Sequence, residues 1–256
     1  MFQVLAFIRY WLLQADEHSL HSPFVFNLFK DIIKNASLHE IKEIEFLRSE
    51  LIKNKNEIEL IDFGAGSRVS NMNKRVIGDI AKYSTTPAKF SALLKALITH
   101  FDYTNIIELG TSLGLNTLYI SDKPETIVKT FEGDPIISSM AREHFKQFNR
   151  LNIELIEGNI DETLEIEIQR FKSIDLAYLD ANHRYEPSLK YYETISTKCH
   201  EKSLIVLDDI HWSKEMNDAW NEIKNRPEVV VSIDLFEGGL LFFDPKLTPG
   251  NYTLEF

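Results

Sequence analysis

The 256 residues include 44% apolar side chains and one cysteine, Cys199, enough for a sizeable core and too few cysteines for a disulfide framework or a cysteine metal cluster. The net charge of -11 opposes nucleic acid as the main partner, because phosphate recognition needs a basic face. A lone cysteine suits a reducing cytoplasm, and we expect a cytoplasmic protein.

The opening MFQVLAFIRYWLLQA is apolar but too short to span a bilayer, and Arg9 interrupts it. It lacks the basic start and small-residue cleavage site of a signal peptide. Leu5, Ile8 and Leu12 fall at helical spacing. Ser22 is a plausible N-cap for SPFVFNLFKDII, with Pro23 in the first turn. HEIKEIEFLRSELI repeats apolar residues at Ile41, Ile44, Leu47 and Leu51, another amphipathic helix. No convincing strand precedes residue 85. After it, β-branched runs alternate with helical patterns: NIIEL, TIVKTFE, NIELIEG, IDLAYLD and SLIVLDD. That rhythm predicts a parallel sheet with helices on both faces. VVVSIDLF and LLFFD, separated by Glu237-Gly238-Gly239, predict an antiparallel hairpin at the sheet edge.

Two stretches end an apolar run in an acid and glycines: IDFGAGSRVSN (Ile61 to Asn71) and IELGTSLGLNT (Ile107 to Thr117). Only the second is followed by a helix and then a strand, TIVKTFE. That strand ends in Glu132 about twenty residues past the loop, as a nucleotide site requires. The first leads into a polar stretch and a helix around Ile77, Ile80 and Ala81. There Gly64 and Gly66 read as a turn with unusual backbone angles, or else as a lid or substrate loop. The cofactor loop is Glu108-x-Gly110-x-x-x-Gly114, with Ser112 where a dinucleotide enzyme carries its middle glycine.

With the acid before the first glycine, Glu132 after the next strand, Asp180 closing a later strand and the terminal hairpin, residues 85 to 256 resemble the class I S-adenosylmethionine-dependent methyltransferases. IELGTSLG, LDANHRYE and VLDDIHW look like the small-molecule O-methyltransferases, the catechol, caffeoyl-CoA and antibiotic-sugar branch. HSLHSPFVF and DFGAGSR resemble an extension found on bacterial members. The resemblance implies a Rossmann-like, doubly wound seven-stranded sheet with an antiparallel terminal hairpin over 85–256, and a helical extension over 1–84 acting as a cap or lid. It implies S-adenosylmethionine as cofactor and a small-molecule acceptor, methylated on oxygen. Glu108 would accept a hydrogen bond from the cofactor's amino-acid end, directly or through water. Gly110 and Gly114 would let the backbone approach, Thr111 and Ser112 would offer donors, and Glu132 would take the ribose diol. Asn159 and Ile160 would frame the adenine, and Asp180 would lie beside the methyl group.

An oxygen nucleophile must also lose its proton. Asp180, His183 and His211 are the candidate catalytic residues at strand ends. Asp180, Asp208 and Asp209 suggest a Mg²⁺ site, as in the antibiotic-sugar branch, which shares the Asp-Asp pair. In that branch a second acid stands where this chain has Asn182, and an amide cannot act as base. Alternatively, Asp208 or Asp209 caps the helix near SKEMNDAW and no metal binds. Arg68, Lys74, Arg75, Lys82 and Lys89 form a locally basic segment. It reads as a solvated face or as a site for an anionic group on the substrate. A homodimer is compatible with these features. Two other readings are a nicotinamide-dependent oxidoreductase on a similar fold and a non-catalytic binding protein. The second would use Phe2, Phe7, Tyr10, Trp11 and Phe24 for docking, unless these aromatics pack on the protein's own body.

Overall fold

The computed structural model describes residues 2–15, 19–60 and 74–256. The whole IDFGAGSRVSN stretch, with Gly64, Gly66 and Arg68, lies outside the described residues, as does His18. In chain order the elements are α1 (Phe2–Leu13), α2 (Pro23–Leu28), α3 (Lys42–Lys53), β1 (Glu57–Glu59), β2 (Lys74–Val76), α4 (Ile77–Tyr83) and α5 (Ala88–Phe101). There follow β3 (Asn105–Leu109), α6 (Leu115–Ile120), β4 (Ile127–Glu132), α7 (Pro135–Gln147), β5 (Ile153–Glu157) and α8 (Ile160–Ile168). The chain ends with β6 (Ile174–Leu179), α9 (Tyr185–Ser196), β7 (Cys199–Asp208), α10 (Lys214–Ile223), β8 (Val231–Asp234), β9 (Gly238–Phe242) and β10 (Gly250–Thr253). A π-helical turn, Phe29–Ile33, extends α2.

Local chemistry sets the boundaries. Ser22 caps α2 by accepting from the Val25 N–H at 3.4 Å, with Pro23 at the first position as expected. Asp134 caps α7 by accepting from Ile136 and Ile137, and Pro135 again opens the helix. Ser213 caps α10 by accepting from Met216. The capping role considered for Asp208 or Asp209 therefore falls to a serine closer to the helix.

The chain forms two compact units: the described residues up to Asn35 with Ile168–Phe256, and those of Ala36–Glu167. In Ala36–Glu167, β3, β4 and β5 form a parallel ladder, with Glu108 opposite Thr130 and Glu132 opposite Glu157. One continuous apolar cluster joins α3, α4, α6 and α7 through Ile44, Leu51, Ile80, Leu118, Tyr119, Ala141 and Phe145. The segment before residue 85 is not purely helical, because β1 and β2 pair antiparallel, Ile58 opposite Arg75. These short strands carry charges at four of six positions, so no apolar alternation marks them in the sequence.

In the other unit, β6 and β7 pair parallel, β7 and β9 antiparallel, and β9 and β8 antiparallel, confirming the terminal hairpin. β10 runs parallel to β8 and adds a strand to the seven expected. The hairpin turn lies at Leu235–Glu237, not at the glycines: Phe236 adopts φ 69 and Gly238 and Gly239 belong to β9. Gly239 is small because Trp220 covers it; a Cβ there would stand 2.5 Å from the indole ring. α1 packs on this turn. Phe7 meets Phe236 edge-on at 5.2 Å, Tyr10 lies 5.2 Å from the same ring, and the Tyr10 hydroxyl donates to the Leu254 carbonyl at 2.5 Å. Phe24 contacts Phe242 at 5.0 Å. Phe7, Tyr10 and Phe24 thus pack on their own unit, whereas Trp11 is 63% exposed. No helix among the described residues is long and apolar enough to cross a membrane.

Candidate active site

The loop between β3 and α6 is built on three left-handed residues: Gly110 (φ 97), Ser112 (φ 48) and Gly114 (φ 76). Ser112 therefore takes a conformation that favours glycine, at the position where the sequence lacked one. Gly114 has a second reason to lack a side chain, since a Cβ would sit 2.6 Å from the Phe145 ring on α7.

Glu132, at the end of β4, ties this loop down. One carboxylate oxygen accepts from the Ser112 N–H at 2.9 Å and the other from the Asp134 N–H at 3.0 Å. Burial pushes its pKa up, and the backbone N–H donors pull it back. A carboxylate offers about four lone-pair positions, so Glu132 retains acceptor capacity for a ligand diol.

Glu108 lies inside the fold, held by side chains of the neighbouring elements. It is fully buried, and its oxygens accept from Asn116 Nδ2 (2.8 Å), Thr117 Oγ1 (2.6 Å) and Thr130 Oγ1 (2.6 Å). The carboxyl joins the first turn of α6 to β4. Burial pushes its pKa up to about 7, against the pull of these three hydrogen bonds. Asn116 Oδ1, by contrast, is a buried acceptor with no partner among the described residues.

The donors expected of the loop are largely spent internally. The N–H groups of Gly110 and Thr111 both go to the Phe131 carbonyl, that of Ser112 to Glu132 and that of Gly114 to the Thr111 carbonyl. The Thr111 hydroxyl bonds Thr130, and the Ser112 hydroxyl donates to the Ser84 carbonyl at 2.9 Å. Beyond β5, Gly158 (φ 130) donates to the Glu132 carbonyl. The Asn159 side chain accepts from the Asp161 N–H at 3.0 Å, closing the turn into α8, and half-buried Ile160 begins that helix.

The unit containing Ile168–Phe256 holds the acid–histidine group. Asp180 follows β6, and Asn182 (φ 68) and His183 (φ 38) turn the chain sharply there. The Asn182 amide donates to the Tyr191 hydroxyl at 2.8 Å, so this residue anchors the turn. His183 Nε2 lies 3.3 Å from Asp180 Oδ1, and its Nδ1 lies 4.0 Å from Asp209 Oδ2, with no hydrogen-bond partner for Nδ1 among the described residues. Asp209 also has positive φ (54). Left-handed non-glycine residues gather at functional turns. Burial drives the Asp208 carboxyl well above the usual range, Asp180 and Asp209 add to the rise, and His183 opposes it.

Two expectations need correction here. Among the described residues no group of three His, Cys, Asp or Glu side chains is placed to hold a metal ion, so Asp180, Asp208 and Asp209 do not form the expected Mg²⁺ site. Asp180 is engaged by His183, and the half-buried Asp208 lies within hydrogen-bonding reach of Asp180. His211 is also unlike a free base. Its Nε2 bonds Asp234 at 2.8 Å, its Nδ1 accepts from Asn217 at 3.0 Å, and its ring stacks on Phe236. Both nitrogens are occupied, and the ring braces the β8–β9 turn.

Sequence reasoning missed Asn116, Thr117 and Thr130, which fix Glu108. Their signal was polar residues within an otherwise buried strand and helix turn. No curated protein matches the chain. Residues 107–210 match the family model described as a methyltransferase domain. Among solved structures, the S-adenosylhomocysteine-bound methyltransferase PaMTH1 of Podospora anserina aligns with a TM-score of 0.62 at 14% identity, covering 88% of this chain and 97% of its own. An O-methyltransferase of Bacillus cereus in complex with S-adenosylhomocysteine gives 0.55 at 15%, covering 91% and 98%. TomG of Streptomyces achromogenes, an O-methyltransferase of tomaymycin synthesis, gives 0.53 at 14%, covering 64% and 82%. Residues 107–210 are thus similar to a methyltransferase domain, and the chain shares the fold of these solved methyltransferases.

Proposed function

We propose that the protein transfers a methyl group from S-adenosylmethionine to an oxygen of a small-molecule acceptor. One observation carries the reading: Glu132 is held by the Ser112 and Asp134 N–H groups with acceptor capacity to spare, beside a loop of three left-handed residues. That is the chemistry a ribose diol requires, within the segment that matches the methyltransferase model. Buried Asn116 Oδ1 supports it further, as an unpaired acceptor at the start of α6 suited to the cofactor's amino group.

The cofactor supplies a methyl group already activated on a cationic sulfonium. The protein's task is alignment, for which effective molarities of roughly 10⁵–10⁸ M set the scale, and removal of the acceptor's proton. His183 is assigned that proton. Asp180 Oδ1, 3.3 Å from Nε2, orients its ring, while Nδ1 has no hydrogen-bond partner among the described residues. Lys74 and Arg75, on the described part of the basic segment, support an acceptor with an anionic group. A free, half-buried Cys199 fits a cytoplasmic enzyme.

The oxidoreductase reading is disfavoured by the loop, whose middle position is Ser112. The test is incubation with methyl-labelled S-adenosylmethionine and a panel of phenolic, sugar and carboxylate-bearing hydroxyl acceptors. Label in an ether product supports the reading. Absence of transfer to every acceptor, with no cofactor bound, removes it.

A further inference from the structure

His144 on α7 stands outside every role assigned above, yet it touches the cofactor loop. It is 8% exposed, and its Nδ1 lies 2.8 Å from the carbonyl oxygen of Leu113, between Ser112 and Gly114. A carbonyl only accepts, so Nδ1 carries the proton and donates. Leu113 is fully buried, and its carbonyl would otherwise lack this donor in an enclosed site. The next residue on α7, Phe145, closes on Gly114, where a Cβ would meet the ring at 2.6 Å. One turn of α7 therefore grips two consecutive loop residues, one by a hydrogen bond and one by packing.

The grip matters because the loop is strained. Ser112 holds φ 48 without being glycine, a conformation that persists only when its surroundings enforce it. Ser112 also presents its N–H to Glu132, so the loop's shape and the carboxylate's position are linked.

We propose that His144 is a positioning residue for cofactor binding: its Nδ1–H, bonded to the Leu113 carbonyl, holds the Gly110–Gly114 loop in its binding shape. The inference rests on the proposed function for its ligand but not for its geometry.

Three full-length variants test it. His144→Asn puts an amide N–H close to where Nδ1–H stands, His144→Gln puts one nearer to Nε2, and His144→Leu removes the donor. Affinity for S-adenosylhomocysteine is measured by calorimetry, and amide hydrogen exchange is followed over residues 110–114. Affinity should fall about tenfold in the Leu and Gln variants, the equivalent of one hydrogen bond of about 1.4 kcal/mol. The Asn variant should stay within about threefold of wild type, and loop exchange should accelerate in Leu and Gln but not in Asn. A purely structural role would make affinity follow melting temperature without distinguishing Asn from Gln. Equal affinity and equal loop exchange in all three variants would overturn the inference. If wild-type protein fails to bind S-adenosylhomocysteine, the proposed function fails. The exchange pattern then decides the loop claim, with unchanged exchange in the Leu variant rejecting it.

Discussion

The Glu132 carboxylate accepts the Ser112 N–H at 2.9 Å, joining the end of β4 to the left-handed serine of the β3–α6 loop. The residue expected to receive the ribose is thus also the one that shapes the loop. Glu132→Gln keeps the size but turns one backbone acceptor into an N–H facing an N–H. Hydrogen bonds to a charged group are worth about 1.5–3 kcal/mol, so affinity for S-adenosylhomocysteine should fall about tenfold to a hundredfold. Isothermal calorimetry reads this directly, and unchanged affinity would remove Glu132 from the site.

Glu108 predicts a pH dependence of stability. Its pKa is raised from 4.5 to about 7, chiefly by burial. Between these values the folded protein holds a proton that the unfolded chain has released, so the contribution of this group to stability falls as pH rises across the window. The loss is on the order of 3 kcal/mol at most. Glu108→Gln can accept from Asn116 and donate to the hydroxyls of Thr117 and Thr130. It should fold and show a flatter stability profile between pH 4.5 and 7, measured by urea unfolding. An equally steep profile in the variant would assign the slope to other groups.

Gly114→Ala should destabilise the protein for two separable reasons. A side chain at φ 76 costs about 1–3 kcal/mol, and overpacking against Phe145 at 2.6 Å adds a similar amount. Phe145→Leu in the same chain should recover part of the packing term and none of the backbone term. Thermal unfolding of the single and double variants separates them. Complete recovery would mean that the backbone angle costs nothing.

For the acceptor end, Asp180→Asn should slow methyl transfer about 10²–10⁴-fold while leaving S-adenosylhomocysteine affinity near wild type, because the carboxylate 3.3 Å from Nε2 no longer orients the His183 ring. His183→Ala should slow the reaction to a similar extent, and the double variant little further, as groups acting as a unit are not additive. A single-turnover rate on an acceptor from the panel checks this. Independent, multiplying losses would mean that the two residues do not share a step.

The strands from Asn105 to Asp208 were legible because buried parallel strands are written as β-branched runs, and Glu132 was legible because chain order alone puts it at a strand end. What the sequence hid depended on partners distant along the chain. Gly238 and Gly239 look like a turn until Trp220 is seen lying over the second of them. GNYT carries no strand pattern, yet pairs with β8 at the edge. The burial of Glu108 was hidden because its three side-chain donors sit on α6 and β4, up to 22 positions away. His211 reads as a base because nothing nearby in sequence announces Asp234 on one side of its ring. The Asp-Asp pair suggested a metal from family pattern, and pattern cannot report that Asp208 pairs with Asp180 and that His183 engages Asp180 as well.

The central claim is that the Gly110–Gly114 loop and Glu132 hold S-adenosylmethionine. Parallel calorimetric titrations of the full chain with S-adenosylhomocysteine and with NAD test it most directly. The account predicts saturable one-to-one binding of S-adenosylhomocysteine, lost on Glu132→Ala, and no heat with NAD. Binding of NAD in place of S-adenosylhomocysteine, or S-adenosylhomocysteine binding that survives Glu132→Ala unchanged, would contradict it.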